Sequence, residues 1–439
     1  MKPQIGKRKL KPSGIDWIGD VPEGWGVQRV GLCFRHHGSG TTPASTNSAY
    51  YEGENNWVQS GDLHGDAIYK TEKQLSDSAL QEYSLTVYKA PFIAVAMYGA
   101  SIANTSKVMI DACTNQACCV LYESEEDFDL DYCFYAIRAA RRVLIEAGRG
   151  GGQPNINRDV VRKLKIPIPS FDEQKRIAAK LDRLCGRVDE LAANLTKEIA
   201  ALQDYRKSLI TECVTKGLNP KAKMKPSGVE WIGKIPAGWT VMRLKYACST
   251  ITDGSHFSPE CVDDGYPYVT ATDVRGVGID FERTKFVSEA DYQALVATGC
   301  GLKRDDVLMV KDGATTGRVG MMTDDTKAVA LSSVAILRTP EDTDRKFLYW
   351  GLQSDGLQRN IQQTMAGSAM PRITVWKLGQ YNIALPSIDE QKEIVAYLDK
   401  HCAVIDAKIE ERKGQLEKLA EYRSSAIYEY VTGKKEVAA

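Results

Sequence analysis

Lys11-Pro-Ser-Gly-Ile-Asp-Trp-Ile-Gly-Asp-Val-Pro-Glu-Gly-Trp25 returns 214 residues later as Lys225-Pro-Ser-Gly-Val-Glu-Trp-Ile-Gly-Lys-Ile-Pro-Ala-Gly-Trp239, with ten of the fifteen positions identical. A second pair, Ile166-Pro-Ile-Pro-Ser-Phe-Asp-Glu-Gln-Lys175 and Ile383-Ala-Leu-Pro-Ser-Ile-Asp-Glu-Gln-Lys392, is separated by 217 residues. Tyr205-Arg206-x-Ser208-x-Ile210-x-Glu212 recurs at that same separation as Tyr422-Arg423-x-Ser425-x-Ile427-x-Glu429. Three collinear matches make the chain two tandem copies of one unit. Between these anchors the copies diverge and leave weaker echoes: Trp57–Gly65 against Tyr268–Gly276, Tyr98–Ser101 against Asp312–Thr315, and Pro154–Ile156 against Pro371–Ile373. Each unit reads as a divergent body of about 145 residues followed by a shared tail.

The tails read as helices. Ser170 and Ser387 stand after a proline and before an acidic turn, the pattern of an N-cap followed by charges that complement the helix dipole. In the first tail the apolar residues Ile177, Leu181, Leu184, Val188, Leu191, Leu195, Ile199 and Leu202 recur every three or four positions. In the second, Ile394, Leu398, Ile405, Leu416 and Leu419 do so, and the stripe thins between Asp406 and Gln415. A helix of ~45 residues is ~65 Å long and cannot bury such a stripe alone. Two arrangements would cover it: packing of each helix on its own body, or pairing of the two. We favour an antiparallel coiled coil, which relates the units by a pseudo-two-fold axis.

The bodies read as mixed and strand-rich, an α+β class. Phe92–Met97 and Val307–Val310 are strand-like runs bounded by glycine and proline. One helix is expected over Tyr132–Ala147 and another over Lys346–Gln363. Polar loops at His36–Pro43 and Thr252–Pro259 occupy corresponding places, as outward-facing readers or as ordinary turns.

The 439 residues carry 57 Lys+Arg against 57 Asp+Glu, with 43% hydrophobic and 26% charged residues. That is the profile of a globular protein and excludes a disordered, collagen-like or wholly coiled-coil chain. No run approaches the ~18 apolar residues of a membrane span. Met1–Lys11 is basic but lacks the apolar centre of a signal peptide, so a cytoplasmic location is expected. Zero net charge stands against a strongly basic nucleic-acid binder. The eleven cysteines form no CxxC pair and have no histidine at zinc spacing, so they read as reduced, buried thiols with no metal site. There is no GxxxxGK[ST] loop, GxSxG elbow or HExxH helix, and no catalytic constellation is shared by the two copies.

Two divergent bodies alternate with two similar helices, each helix opening Pro-Ser-x-Asp-Glu-Gln-Lys-x-Ile and each body opening Lys-Pro-Ser-Gly-x-x-Trp-Ile-Gly-x-x-Pro-x-Gly-Trp. Over nearly its whole length the chain resembles the specificity subunit of type I restriction-modification systems. The resemblance implies a non-catalytic DNA-reading scaffold. Residues 1–165 and 221–382 would be target-recognition domains, each reading one half of a bipartite, asymmetric site in double-stranded DNA. Residues 166–220 and 383–439 would be the helices that set the spacer and dock two modification subunits. Those subunits would carry S-adenosylmethionine and methylate adenine. Two restriction subunits, driven by ATP with Mg, can join; the chain itself needs no cofactor.

Readout of base edges requires polar side chains on exposed loops. The candidates are Ser39, Thr41, Gln59, Ser60, Tyr98, Ser101, Gln153, Asn155 and Asn157 in the first body. In the second they are Ser255, His256, Thr270, Thr272, Lys311, Thr315, Arg318, Ser368 and Arg372. Arg141, Arg142, Arg149, Arg158 and Arg162 are candidate phosphate contacts, which position without specifying. An adaptor that binds only proteins is the alternative from another class.

Overall fold

The repeated opening sequences fold into the same small hairpin. Leu10–Pro12 pairs antiparallel with Asp20–Pro22, and Met224–Pro226 with Lys234–Pro236. The motif explains itself: the Ser13 and Ser227 hydroxyls accept the Ile15 and Val229 N–H groups at 3.2 and 3.1 Å. The glycines that follow, Gly14 and Gly228, take φ of 71° and 76°, a left-handed conformation in which any other side chain is strained.

The computed structural model describes residues 8–148, 155–276, 278–365 and 371–437. Its contacts divide the chain into two units, Met1–Leu195 with Gly414–Ala439, and Thr196–Lys413. In the first unit Gly26–Arg29 pairs with Lys165–Ile168 and closes the body at its base. Above this ribbon is a five-stranded sheet in the order Phe34–Gly38, Cys118–Ser124, Phe92–Ala96, Thr105–Val108, Ala67–Ile68. A three-stranded sheet centred on Asn55–Val58 accompanies it. In the second unit Thr240–Arg243 and Asn382–Leu385 form the ribbon. Thr250–Asp253, Val334–Arg338, Val307–Val310 and Val319–Met321 form the main sheet, and Tyr266–Val269 centres a three-stranded one. The fold is α+β in both units, and the strand-like runs are interior, fully buried strands, Phe92–Ala96 (one residue short of the expected Met97) and Val307–Val310.

Each expected body helix is broken in two. Leu130–Ala139 and Arg141–Ala147 meet at the buried Ala140, whose backbone leaves helical geometry (φ −87°, ψ 9°). Arg345–Leu352 and Asp355–Thr364 meet at Ser354, whose hydroxyl donates to the Gly351 carbonyl at 2.7 Å and so takes up an end-of-helix acceptor.

The long helices span Phe171–Lys216 and Ile388–Val431. Within the first unit, Arg423 Nη1 lies 2.8 Å from Asp189. Within the second, Arg206 Nε lies 2.8 Å from Asp406, and Arg412 Nε lies 2.8 Å from Glu198. Rising positions on one helix meet falling positions on the other, so the segments pair antiparallel. Arg206–Asp406 and Arg423–Asp189 are one ion pair used twice, since both members recur 217 residues apart. The two ways of covering the stripe are combined. Ile177, Leu181 and Val188 are buried, as are Ile394, Leu398 and Ile405, toward the helix starts; Leu184 is half-buried. The first body's core takes in Ile177, Leu181 and Cys185 from one helix and Ile427, Tyr430 and Val431 from the other. Leu195, Ile199, Leu202, Leu416 and Leu419 are half-buried, and Leu191 is 52% exposed. Across the thin part of the second stripe, Ile409 is buried.

The Asp-Glu-Gln turn does more than complement a dipole. Glu173 accepts from the Trp25 indole N–H at 3.0 Å and Glu390 from Trp239 at 2.9 Å, so each helix start grips the hairpin of its unit. Gln174 and Gln391 are completely buried. Gln391 accepts from the Asp344 N–H at 2.7 Å and donates to the Asp342 and Pro386 carbonyls at 3.2 and 3.0 Å. Gln174 does the same with Asp129, Asp127 and Pro169. Ten of the eleven cysteines are buried, Cys261 is exposed, and all are free thiols. Burial pushes the Cys213 and Cys248 thiols up to about 12. No described helix is long and apolar enough to cross a membrane.

Candidate nucleic-acid interface

At one end of each main sheet the same set of loops converges, with different side chains. In the first body the Thr41 N–H donates to the Thr114 carbonyl, and the Ser39 hydroxyl to that of Gln116, at 3.1 and 3.2 Å. In the second, the Ser255 N–H donates to the Ala330 carbonyl at 2.8 Å. The loop after the next strand turns on a carboxylate in both. Asp62 accepts the Gln59 N–H at 2.8 Å, and Asp273 accepts the Thr270 N–H at 2.7 Å. A third loop is tied down by Ile156 N–H to Met97 carbonyl at 2.9 Å, and by Ile373 N–H to Lys311 carbonyl at 2.8 Å. Beside it, Tyr98 bridges Asn155, and Asp312 bridges Arg372, through an isolated antiparallel backbone pair.

These loops carry most of the candidate readers. Thr41, Tyr98, Asn155, Asn157, His256, Thr272 and Arg372 are exposed. Ser39, Gln59, Ser60, Ser101, Thr270, Thr315 and Arg318 are half-buried. Ser255 is buried, and its hydroxyl closes a turn with both backbone groups of Phe257. Lys311 is also buried, between Asp312 Oδ2 at 2.8 Å and Asp253 Oδ2 at 3.4 Å. Asn157 caps the short helix Arg158–Lys163, accepting the Val160 N–H at 3.0 Å. Arg149, Gln153 and Ser368 lie outside the described residues.

Three polar residues outside the candidate set share these loops. Gln116 is exposed beside Ser39, and Asp253 and Asp312 flank Lys311. In the alignment of the copies Asp312 stands opposite Tyr98. Of the candidate phosphate contacts, Arg142 pairs with Glu146 at 2.9 Å, Arg162 with Asp159 at 3.4 Å, and Arg141 donates to Asn104 at 3.2 Å. Burial, then the charges of Arg162 and Arg158, hold the nearby His37 imidazole below its ordinary range. Among the described residues, no group of three or more His, Cys, Asp or Glu is placed to hold a metal ion.

Both loop sets are packed without slack. Gly40 and Gly254 press on a backbone carbonyl, and a Cβ on either would overlap the oxygen of Thr114 or Ala330. Gly40→Ala and Gly254→Ala should each cost about 2–3 kcal/mol, since backbone rather than a flexible side chain must move. Thermal denaturation of the full chain measures this. A change below ~0.5 kcal/mol would show that the loops are soft.

Compared with known proteins, the chain matches the family described as type I restriction modification DNA specificity domain over residues 22–201 and 236–418. It is 26% identical over 312 residues to the type I restriction enzyme MjaVIII specificity subunit of Methanocaldococcus jannaschii, covering 69% of each chain. It is 24% identical over 306 residues to the type I restriction enzyme EcoBI specificity subunit of Escherichia coli, covering 67% of this chain and 64% of that one. A solved structure from work on complex assembly and conformational transition of the type I R-M system shares the fold. Its TM-score is 0.70 at 19% identity, over 94% of this chain and 99% of that one.

Proposed function

The chain belongs to the type I restriction-modification DNA specificity family, and from that premise we propose that it is a non-catalytic subunit whose two bodies each read one half of a bipartite site in double-stranded DNA. The observation that carries this reading is the pair of equivalent loop sets. Their backbone hydrogen bonds coincide, while their side chains do not: Tyr98 and Asn155 in one, Asp312 and Arg372 in the other. A shared frame with different polar side chains is what two different half-sites require. The helices act as the spacer between half-sites and as the dock for two copies of a methyltransferase subunit. Repeated, exposed aromatics support the docking: Tyr205 and Tyr422, at equivalent positions, are 57% and 51% exposed. S-adenosylmethionine belongs to those partners, as does ATP with Mg to the restriction subunits. The zero net charge then limits this chain to weak binding alone and leaves tight binding to the complex.

Methylome sequencing of cells expressing the chain with its methyltransferase tests the reading. One bipartite, asymmetric motif is expected. Methylation without a motif, or with an undivided one, would overturn it.

A further inference from the structure

We propose that Arg372 reads a guanine in the half-site met by the second body, with Asp312 as its positioning residue; this rests on the reading of that body as a DNA-recognition domain. The position is defined by comparison within the chain. Asp312↔Arg372 and Tyr98↔Asn155 are the same backbone bridge, held by the same neighbours. Lys311 N–H donates to Ser333 at 2.9 Å where Met97 N–H donates to Ala117 at 2.7 Å. The frame needs no particular side chain here, since the two copies build it with unrelated ones. What differs between them is what each loop presents.

The charges then assign a role to each group. Lys311 is 3% exposed at its side chain and lies between two carboxylates, Asp253 and Asp312. That trio carries a net negative charge at neutral pH, an unsuitable face for DNA on its own. Arg372 restores balance: its Nε lies 3.1 Å from Asp312 Oδ1, a charge contact without hydrogen-bond alignment. Its side chain is 59% exposed, and its Nη groups have no other ion-pair partner among the described residues. A guanidinium tethered at Nε presents two parallel donors at its far edge. Guanine is the base that offers two matching acceptors, O6 and N7, in the major groove. Adenine places a donor at N6, and pyrimidines lack the second acceptor. The tether also lowers the rotamer entropy lost on binding.

The test uses the full chain assembled with its methyltransferase, on duplexes carrying its methylated motif. Guanines of the second body's half-site are replaced one at a time by 7-deazaguanine, which lacks the N7 acceptor. One replacement should weaken binding roughly ten- to hundred-fold. The same replacement should have no further effect on the Arg372→Ala complex, whose motif relaxes at that position alone. Asp312→Asn should reduce discrimination between guanine and 7-deazaguanine while preserving the motif elsewhere. Several results would overturn the proposal: a half-site without guanine, no sensitive guanine in the unmodified protein, or an Arg372→Ala complex weakened equally on all sequences with a shallower salt dependence, the mark of a phosphate contact. The base-analogue arm uses the unmodified chain, so it stands even where a variant folds poorly. A complex that methylates without any motif would instead remove the recognition reading itself.

Discussion

Gln391→Leu should lower the stability of the unit that contains it by about 3–5 kcal/mol. Gln391 has no solvent exposure, and its amide joins three backbone groups: the Asp344 N–H and the Asp342 and Pro386 carbonyls. Leucine fills similar space and meets none of them. Pro386 is buried and Asp344 half-buried, so their carbonyl and N–H lose their partner at about 1–3 kcal/mol each, while the exposed Asp342 turns to water. For a unit of this size the loss corresponds to roughly 10 °C in melting temperature. Gln174→Leu should behave alike, because Asp129, Asp127 and Pro169 stand where Asp344, Asp342 and Pro386 do. Lys392→Ala, at the exposed neighbouring position, should change stability by less than ~0.5 kcal/mol. Denaturation of the full-length variants measures all three. A loss under 1 kcal/mol for Gln391→Leu would mean that these groups find other partners.

The second large effect is functional. Exchanging residues 26–168 for the corresponding body of another family member should change one half of the methylated motif, leaving the other half and the spacer intact. The graft is well bounded, since Gly26 and Ile168 are partners in the ribbon that closes the body. The readers travel with it, as do the loop contacts that hold them. What the graft must preserve is the apolar surface that receives Ile177, Leu181, Ile427 and Val431. Methylome sequencing of the hybrid reads the result directly. An unchanged motif would show that the first body does not read DNA.

The helices were legible because their signals are local: a proline–serine start, an acidic turn and a stripe at helical spacing. The loop sets were legible in part, because the copies could be aligned through their anchors. The alignment places Tyr98, Asn155 and Arg372 in these loops, and sets Asp312 opposite Tyr98. Two kinds of feature were out of reach. The helix breaks at Ala140 and Ser354 turn on local backbone geometry that apolar periodicity does not report. The roles of Gln174 and Gln391 depend on partners more than forty residues away.

By itself the sequence determined that this protein is one unit used twice, with strand-rich bodies and long helices, because duplication and periodicity are written along the chain. Tertiary structure alone decided how the helix stripes are covered. The first body's core is completed by the start of one helix and the end of the other, and the Tyr132 hydroxyl donates to the carbonyls of both Pro167 and Val431. No local pattern encodes that closure. It arises because a narrow apolar stripe has too little partner surface in a two-helix pair, and the ends of each helix gain the rest from a body.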